Sequence, residues 1–270
     1  MLSPSSRMIY AGIDAGSRAT KVVLFDAEGS RIVGSALADQ GVEQQGLAGD
    51  LFERTCRDAG LGRAGVGPIV ATGYGRNAVR FADTTITEIT CHARGVHHLM
   101  PETRTIIEIG GQDSKFITLE DGGRVRDFAM NDRCAAGSGR FLEVVAARLG
   151  VDLATLGELS RESQQAALIS SMCVVFAETE IIGLLAEGVA AADIAAGVQN
   201  AIAQRVAGLA GRAVATPICF TGGVALQSGM VRALETAFAC ALRVSPLPQY
   251  TGALGAALLA GRQNRSGQGI

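Results

Sequence analysis

The amino-acid sequence predicts a mixed α/β protein made of two related halves. A strand, a short turn and a second strand are predicted at 9–26, and the same arrangement returns at 105–119, which indicates an internal duplication. Apolar residues at helical spacing fill much of the chain between and after these segments. The 270 residues, 48% of them hydrophobic, are enough for two cores of ordinary size.

Composition excludes several classes of protein. The formal charge is -2, from 24 basic and 26 acidic residues, so no broad cationic field is available for nucleic acid or an anionic membrane. The longest uncharged stretch, 213–231, is interrupted by Pro217, Gly222 and Gly223, and 1–7 lacks the apolar core of a signal peptide. We therefore expect a cytoplasmic protein without a transmembrane helix, starting at Met1 or Met8. Six scattered cysteines then favour thiols over a disulfide framework.

The first half contains the first hairpin and a mixture of further elements. A helix is predicted at 47–59, a short strand at 67–72 and the start of another helical stretch at 76–81. We expect a first domain at 1–90 that is completed by a C-terminal helix at 251–262.

The second half begins with the second hairpin and is rich in helices. The pattern predicts helices at 140–149, 171–187 and 191–210, a buried strand at 217–220 and a helix at 229–240. A small-residue helix is predicted at 252–260. We expect the second domain at 91–250.

The only two lysines among the 24 basic residues are Lys21 and Lys115, each just after one of the hairpin turns. Two explanations are open. The lysines could serve the chemistry of the turns, or they could lie on exposed strand edges, where lysine discourages pairing between sheets.

Three glycine-containing turns follow predicted strands, at 12–17, 109–113 and 220–224. Glycine allows backbone N–H groups to approach a phosphate closely, because no Cβ is in the way. Asp14 and Asp113 accompany two of these turns, and a carboxylate beside a phosphate suits Mg²⁺ or an attacking water. Each turn alone could be an ordinary hairpin, but the set indicates Mg-ATP.

No GxxxxGK[ST] sequence is present, so a Walker-type P-loop is excluded. The three turns, in their order, resemble the phosphate 1, phosphate 2 and adenosine motifs of the actin-like ATPase superfamily, which includes sugar kinases and heat-shock chaperones. This resemblance implies two duplicated actin-like (ribonuclease H-like) ATPase domains with a nucleotide cleft between them.

Two cysteines stand where helices are predicted to begin. Asn131 and Asp132 are cap-type residues before Cys134, and two serines precede Cys173. A helix N-terminus favours a thiolate or an anionic iron–sulfur cluster, since its free N–H groups point at the negative charge. Two cysteines are half the ligands of a cluster, and a two-fold dimer would supply four. The alternative is that each is a small buried hydrophobe, as we expect for the other four cysteines.

At these residues the chain resembles the activator ATPases of 2-hydroxyacyl-CoA dehydratases and the related ATP-binding subunits of benzoyl-CoA reductase. The resemblance extends from Gly12 to about Ala260, through GIDAGS, ATGYGRN, EIGGQDSK, NDRCAAGSGRFLE, SSMCVVFAETE, FTGGVA and PQYTGALGAALLA. It implies a homodimer, or a pseudo-symmetric heterodimer, that holds one 4Fe-4S cluster through Cys134 and Cys173. ATP hydrolysis would change the angle between the helices that meet at the cluster and send an electron to a dehydratase or reductase, with ferredoxin or flavodoxin as the donor.

The same resemblance implies roles for residues of the turns. Asp14 would hold Mg²⁺ through water, while Gln112 and Asp113 would position the hydrolytic water. The residues implied in nucleotide binding are Gly12, Gly16, Ser17, Arg18, Lys21, Gly110, Gly111, Gly222, Gly223 and Gln249. Arg18 departs from the family, in which a small hydroxylated residue is more usual. The segment 74–77 would line the cleft or form a capped turn, and the three histidines are given no chemistry.

The sequence is also compatible with other functions. The chain could be a freestanding activator or a resident reductase subunit, which would need a homologous partner chain. A small-molecule kinase of the same superfold would phosphorylate a hydroxyl and bind no iron. A nucleotide-dependent sensor or assembly protein would bind nucleotide with negligible turnover.

Overall fold

A computed structural model of the chain describes residues 8–40, 44–132, 137–170, 173–211 and 214–266. The chain divides into two compact units. The first comprises Met1–Pro101, Asp121–Val125 and Gln249–Ile270, and the second comprises Glu102–Glu120 and Arg126–Pro248. The predicted domain boundary at 90/91 falls within a helix of the first unit, Glu88–Leu99.

The first unit is a five-stranded sheet with helices on both faces. Its strands are β1 (Ile9–Ala15), β2 (Ala19–Asp26), β3 (Arg31–Asp39), β4 (Val66–Thr72) and β5 (Thr84–Thr85). Its helices are α1 (Gln44–Asp58), α2 (Glu88–Leu99) and, from the C-terminal segment, α8 (Thr251–Ser266). The strand order is β3-β2-β1-β4-β5, with β1 antiparallel to β2 and parallel to β4.

The second unit repeats this sheet. Its strands are β6 (Thr105–Ile109), β7 (Ser114–Leu119), β8 (Val125–Asn131), β9 (Ile218–Thr221) and β10 (Leu242–Val244). Its helices are α3 (Gly139–Leu149), α4 (Leu153–Leu159), α5 (Val174–Ala186), α6 (Ala191–Leu209) and α7 (Ser228–Phe238). The order β10-β9-β6-β7-β8 is the order of the first sheet, with a hairpin on one side and parallel strands on the other. The predicted duplication of a mixed α/β unit is confirmed.

The central strands are buried on both faces because helices cover the sheet on each side. All seven residues of β1 are buried, with Ile9 and Ile13 in the core beneath α1 and Tyr10 packed towards α8. Such strands form a continuous apolar run rather than an alternating one, as the sequence at 9–15 does. In the second unit, helices α3 to α7 pack with β6 and β9 into one large apolar cluster.

Helix ends follow local chemistry. Asp152 caps α4 by accepting a hydrogen bond of 2.7 Å from the backbone N–H of Thr155. Gly150 ends α3 in the left-handed conformation, and its N–H donates to the carbonyl oxygens of Ala146 and Ala147. Among the helices in the described ranges, none is long and apolar enough to cross a membrane.

Candidate functional site

The first hairpin holds a carboxylate at the end of β1. Asp14 lies opposite Lys21 in the antiparallel register, and the Lys21 Nζ is 3.3 Å from the Asp14 Oδ2. Asp14 is only 6% exposed. The turn that follows is closed by a hydrogen bond of 3.1 Å from the N–H of Gly16 to the carbonyl of Ala19. The carboxylate is therefore fixed beside a turn of exposed or half-buried residues.

A second segment contacts the same carboxylate. Gly73 follows β4 with φ +93, and a Cβ on it would lie 2.6 Å from the Asp14 Oδ1. A side chain at this position would be strained and would collide with the carboxylate. The N–H of Gly75 donates to the carbonyl of Ala15 over 2.8 Å. The helical stretch predicted at 76–81 is a single 3-10 turn, Arg76–Ala78. The segment beside Asp14 is therefore a loop rather than a helix.

The second hairpin carries a buried network of three charges. Lys115 is 2% exposed, and its Nζ donates to the Glu108 Oε2 over 2.8 Å and to the Asp113 Oδ2 over 2.7 Å. A buried lysine requires such partners, because desolvation of an unpaired charge is costly. One ammonium thus binds two carboxylates and holds them together at the turn.

The structure decides between the two explanations of the lysines. β2 lies between β1 and β3, and β7 lies between β6 and β8, so neither lysine is on an edge strand. The Lys21 side chain is 17% exposed and that of Lys115 is 2% exposed. The strand-edge explanation is wrong, because both lysines pair with carboxylates at the hairpin turns.

Sequence reasoning missed Glu108. This residue lies opposite Lys115 in the register, as Asp14 lies opposite Lys21, and two residues later each hairpin has the glycine whose N–H closes the turn. Asp113 has no such equivalent in the first hairpin, where Ala19 takes its place. Aligning the two lysines in the sequence would have identified Glu108, since each acidic residue precedes its lysine by the same number of residues.

Gly222 lies against the carboxylate of the second hairpin, as Gly73 lies against that of the first. It follows β9 with φ +90, and a Cβ on it would collide with the carbonyl oxygen of Ile109 and lie 2.7 Å from the Glu108 Oε1. The N–H of Gly222 donates to the carbonyl of Pro248 over 2.9 Å, which brings the segment before Gln249 to this turn. The Glu108 carboxylate is therefore bounded by glycine in the same way as Asp14.

The remaining candidate residues of the turns differ in exposure. Arg18, Gln112 and Gly223 are exposed, whereas Ser17, Gly110, Gly111 and Gln249 are half-buried. Gly12 is buried in the middle of β1, where a Cβ would collide with the backbone of Ala253 in α8. Gly12 thus permits the close approach of α8 to the sheet.

The N-terminus of α3 is bonded to the second turn. The N–H of Gly139 donates to the carbonyl of Gly110 over 2.9 Å, and the N–H of Arg140 donates to the carbonyl of Gly111 over 2.8 Å. The segment between β8 and α3 contains Cys134, which lies outside the described residues. Both ends of that segment are therefore attached to the sheet and turn of the second unit.

Cys173 is the N-cap of α5, in agreement with the prediction that it opens a helix, and it is exposed. The caps predicted for the helix near Cys134 are wrong. Asn131 ends β8, and the N-cap of α3 is Ser138. Hydrogen bonding along the sheet extends the strand up to Asn131, which propensity alone did not indicate.

Three of the other described cysteines, Cys56, Cys91 and Cys219, are buried. Burial raises the pKa of Cys91 and of Cys219 to about 12, and burial also raises the pKa of Cys56. Cys240 is half-buried. Within the described ranges, no three His, Cys, Asp or Glu side chains form a group that could hold a metal ion.

The two hairpin turns and their carboxylates are groups that can bind phosphate and a hydrated metal ion. Each unit has a glycine turn with accessible backbone, a carboxylate held by lysine, and a second glycine segment against that carboxylate. Backbone N–H groups in such turns bind anions, and the carboxylates can orient hydrated Mg²⁺ or a water molecule.

The chain is similar to several known proteins in sequence and in structure. The chain is 45% identical to the 2-hydroxyisocaproyl-CoA dehydratase activator of Clostridioides difficile over 94% of this chain and 95% of the relative. It is 34% identical to a benzoyl-CoA reductase subunit of Thauera aromatica over 93% of this chain and 92% of the relative. The solved structure of the Clostridium difficile activator with bound ADPNP superposes with a TM-score of 0.90 at 44% identity, covering 97% of each chain.

The predicted actin-like fold, with two ribonuclease H-like domains, is confirmed by this structural similarity and by the repeated strand order. A family model described as the BadF/BadG/BcrA/BcrD ATPase family matches residues 11–260. The match covers both hairpin turns, the predicted cysteine segments and most of α8. The resemblance based on the motifs is confirmed, and this chain belongs to the BadF/BadG/BcrA/BcrD ATPase family.

Proposed function

We propose that this protein is an ATP-hydrolysing iron–sulfur protein that transfers low-potential electrons to a partner CoA-ester enzyme, either a 2-hydroxyacyl-CoA dehydratase or a benzoyl-CoA reductase. Relatives named as dehydratase activators and as part of a reductase support this proposal. The single observation in the structure that carries it is the pair of hydrogen bonds from the start of α3 to the Gly110 and Gly111 carbonyls.

ATP would bind at the glycine turns. The N–H groups at Gly16 and Ser17 and at Gly110 and Gly111 would bind phosphate oxygens, with Asp14 orienting the metal through its water ligands. Bound Mg²⁺ would supply charge neutralisation at the transferring phosphoryl group. Arg18 and Lys21 would complete the first phosphate turn, which Gly12 would support only by letting α8 pack on β1. Gly222, Gly223 and Gln249 would face the adenosine.

Three residues of the second turn are candidates for positioning the hydrolytic water. Gln112 and Asp113 follow from the sequence, and the structure adds Glu108. The Glu108 Oε1 lies near both Gly110 and Gly222, 3.3 Å and 2.7 Å from the positions their Cβ atoms would take. Its other oxygen accepts a hydrogen bond from Lys115, which fixes the orientation of the carboxylate.

Cys173 and Cys134 would be the ligands that this chain gives to a shared 4Fe-4S cluster. Cys173 is exposed at the start of α5, where free N–H groups favour an anionic ligand set. Cys134, outside the described residues, would be the second ligand, and a homodimer or pseudo-symmetric heterodimer would provide two cysteines from each chain for one cluster. When bound, the cluster would supply a one-electron redox centre, filled by reduced ferredoxin or flavodoxin.

The residues of this chain connect the nucleotide turn to both cysteines. Gly139 and Arg140 attach α3 to the turn, directly after the segment that contains Cys134. Arg148, in the last turn of α3, forms an ion pair with Glu178 of α5, the helix that begins at Cys173. A shift of the turn on nucleotide exchange would therefore move the segments of Cys134 and Cys173 together.

Exposed apolar side chains near Cys173 are consistent with contacts to other protein chains. Val175 is 67% exposed, Phe176 is 69% exposed and Ile182 is 48% exposed, all on α5. A monomer rarely leaves such a group of apolar residues in water, so contacts with a second copy of the chain and with the acceptor enzyme would cover them.

Anaerobic purification followed by iron and acid-labile sulfide analysis tests the proposal. We expect about two irons per chain, because one cluster of four would be shared by two chains. The absorbance of the cluster should bleach on reduction by dithionite. Absence of iron after anaerobic reconstitution, together with a phosphorylated small-molecule product, would replace the proposal by a kinase of the same superfold.

A further inference from the structure

Gln40, the residue after β3, is bonded to the first glycine turn. Its N–H donates to the carbonyl of Arg18 over 2.8 Å, and its Oε1 accepts a hydrogen bond of 2.8 Å from the Oγ1 of Thr20. These two residues flank Ala19, whose carbonyl accepts from the N–H of Gly16 and closes the turn. Gln40 therefore holds the chain on both sides of the residue that closes the turn.

The first turn is anchored through both faces of the sheet. Thr20 is fully buried and points to the face that α1 covers, as Val22 and Leu24 do. Lys21 points to the opposite face, because successive side chains of a strand alternate, and there it pairs with Asp14. A side-chain hydrogen bond thus holds the turn on one face, and an ion pair holds it on the other.

The second glycine turn is held in a different way. Ser114 occupies the position of Thr20, since each directly precedes the lysine of its hairpin. The Ser114 Oγ is buried and has no hydrogen-bond partner in the part of the chain that the structure describes. The second turn is bonded instead to the start of α3, through Gly139 and Arg140. The bond that Thr20 makes in the first hairpin is therefore not repeated at Ser114.

The side-chain amide of Gln40 is only partly satisfied. Its Nε2 is buried and has no hydrogen-bond acceptor among the described residues. A buried polar group without a partner lowers stability, and an apolar side chain of the same shape avoids this loss. Stability alone therefore does not account for an amide at this position, whereas a requirement for a fixed turn does.

We infer that Gln40 and Thr20 are positioning residues for the first turn, whose N–H groups at Gly16 and Ser17 they hold in the arrangement that receives the phosphates. The inference rests on the proposed function, since it needs a nucleotide at this turn. Backbone N–H groups bind an anion well when they are preorganised around it. Loosening the turn should therefore weaken binding of the phosphates and leave binding of the adenosine unaffected.

Three variants separate positioning from a purely structural role. Thr20→Val keeps the shape of the side chain but leaves the Gln40 amide without its donor, and Gln40→Met leaves the Thr20 hydroxyl without this acceptor. Each single variant should therefore be less stable than the wild type. The double variant removes both polar groups at once, so its free energy of unfolding should equal or exceed that of the wild type.

The measurements on each full-length variant are the free energy of unfolding in urea and the dissociation constants of ADP and adenosine by isothermal titration calorimetry with Mg²⁺ present. We expect the affinity for ADP to fall about 10-fold in both single variants and in the double variant, because all three lack the same bond. The affinity for adenosine should stay at the wild-type value. Thr20→Ser retains the hydroxyl and should restore most of the affinity for ADP.

Thr55→Val is the matched control. Thr55 is a buried threonine of α1 whose Oγ1 donates to the carbonyl of Leu51 over 2.7 Å, away from the turn. This variant should be less stable but should bind ADP as the wild type does.

Wild-type affinity for ADP in the double variant would overturn the inference. Equal losses for ADP and adenosine would do the same, as would ADP affinities that follow the stabilities of the variants. Failure of the wild-type chain to bind ADP at all would instead reject the proposed function.

Discussion

Glu108 and Asp14 are equivalent residues of the two halves. Each is buried near the end of the first strand of a hairpin, each pairs with a lysine directly across the ladder, and each lies against a glycine with φ near +90. The duplication has thus preserved a carboxylate, a lysine and two glycine segments in both units. Each unit therefore presents a buried carboxylate beside its own glycine turn.

Asp14→Ala should abolish most Mg-dependent ATP hydrolysis while the iron content stays unchanged. Loss of a group that orients the charge-neutralising metal typically lowers kcat by about 100-fold or more. The assay is phosphate release under anaerobic conditions with parallel iron analysis. Asp50→Ala, at an exposed position of α1, is the control and should hydrolyse ATP normally. Unchanged hydrolysis in Asp14→Ala would remove Asp14 from the metal site.

Glu108→Gln should lower kcat for ATP hydrolysis more than Asp113→Asn does. The Glu108 carboxylate lies against both glycine segments, whereas the Asp113 side chain is 24% exposed and its Oδ2 is bound to Lys115. A water-positioning carboxylate contributes about 100-fold or more. The measurement is kcat for ATP hydrolysis by each variant under steady-state conditions. A larger loss in Asp113→Asn would assign the positioning of the water to Asp113.

Cys173→Ser and Cys134→Ser should each prevent cluster binding but leave nucleotide binding intact. Serine is a poor ligand for cluster iron, and the glycine turns do not contain either cysteine. Iron and sulfide analysis after anaerobic reconstitution provides the measurement, with ADP binding as the test of folding. Cys240→Ser is the matched control, since Cys240 is half-buried and distant in sequence from both segments. A wild-type absorbance spectrum in either variant would exclude that cysteine as a ligand.

Thiol labelling of the native, cluster-free protein should modify Cys173 but spare Cys91 and Cys219. Burial raises the pKa of the latter two to about 12, so they remain protonated under mildly alkaline labelling conditions and are also inaccessible. Only above that pKa would the thiolate form dominate, which native conditions do not reach. Mass spectrometry after iodoacetamide treatment gives the result for each residue. Rapid labelling of Cys91 or Cys219 before unfolding would contradict their buried environment.

Gly222→Ala should destabilise the protein more than Gly150→Ala does. Both glycines have positive φ, but a Cβ at Gly150 meets nothing within 4 Å, while one at Gly222 collides with Ile109. The left-handed conformation costs about 1–2 kcal/mol in each variant. The collision should add about 1–3 kcal/mol at Gly222. Equal free energies of unfolding in urea titrations would mean that the segment after β9 relaxes freely.

Much of the fold could be predicted because its strongest signals are local. The hairpins at Ile9–Asp26 and Thr105–Leu119 combine apolar runs with glycine turns, and the long helices have clear apolar spacing. The helix Glu88–Leu99 was not predicted, since it contains His97 and His98 and its apolar face depends on α8. The strand Arg31–Asp39 was missed for a related reason, because its residues are half-buried and its partner β2 defines it.

The sequence by itself determined the duplication, the α/β class, the family and the candidate chemistry of the turns, because these depend on which residues follow one another. Only the tertiary structure decided that Lys21 and Lys115 lie on interior strands, that Glu108 is the counterpart of Asp14, and that His92 of α2 bonds to Thr251 of α8. Those relationships join residues far apart in the chain, and strand pairing and helix packing bring them together.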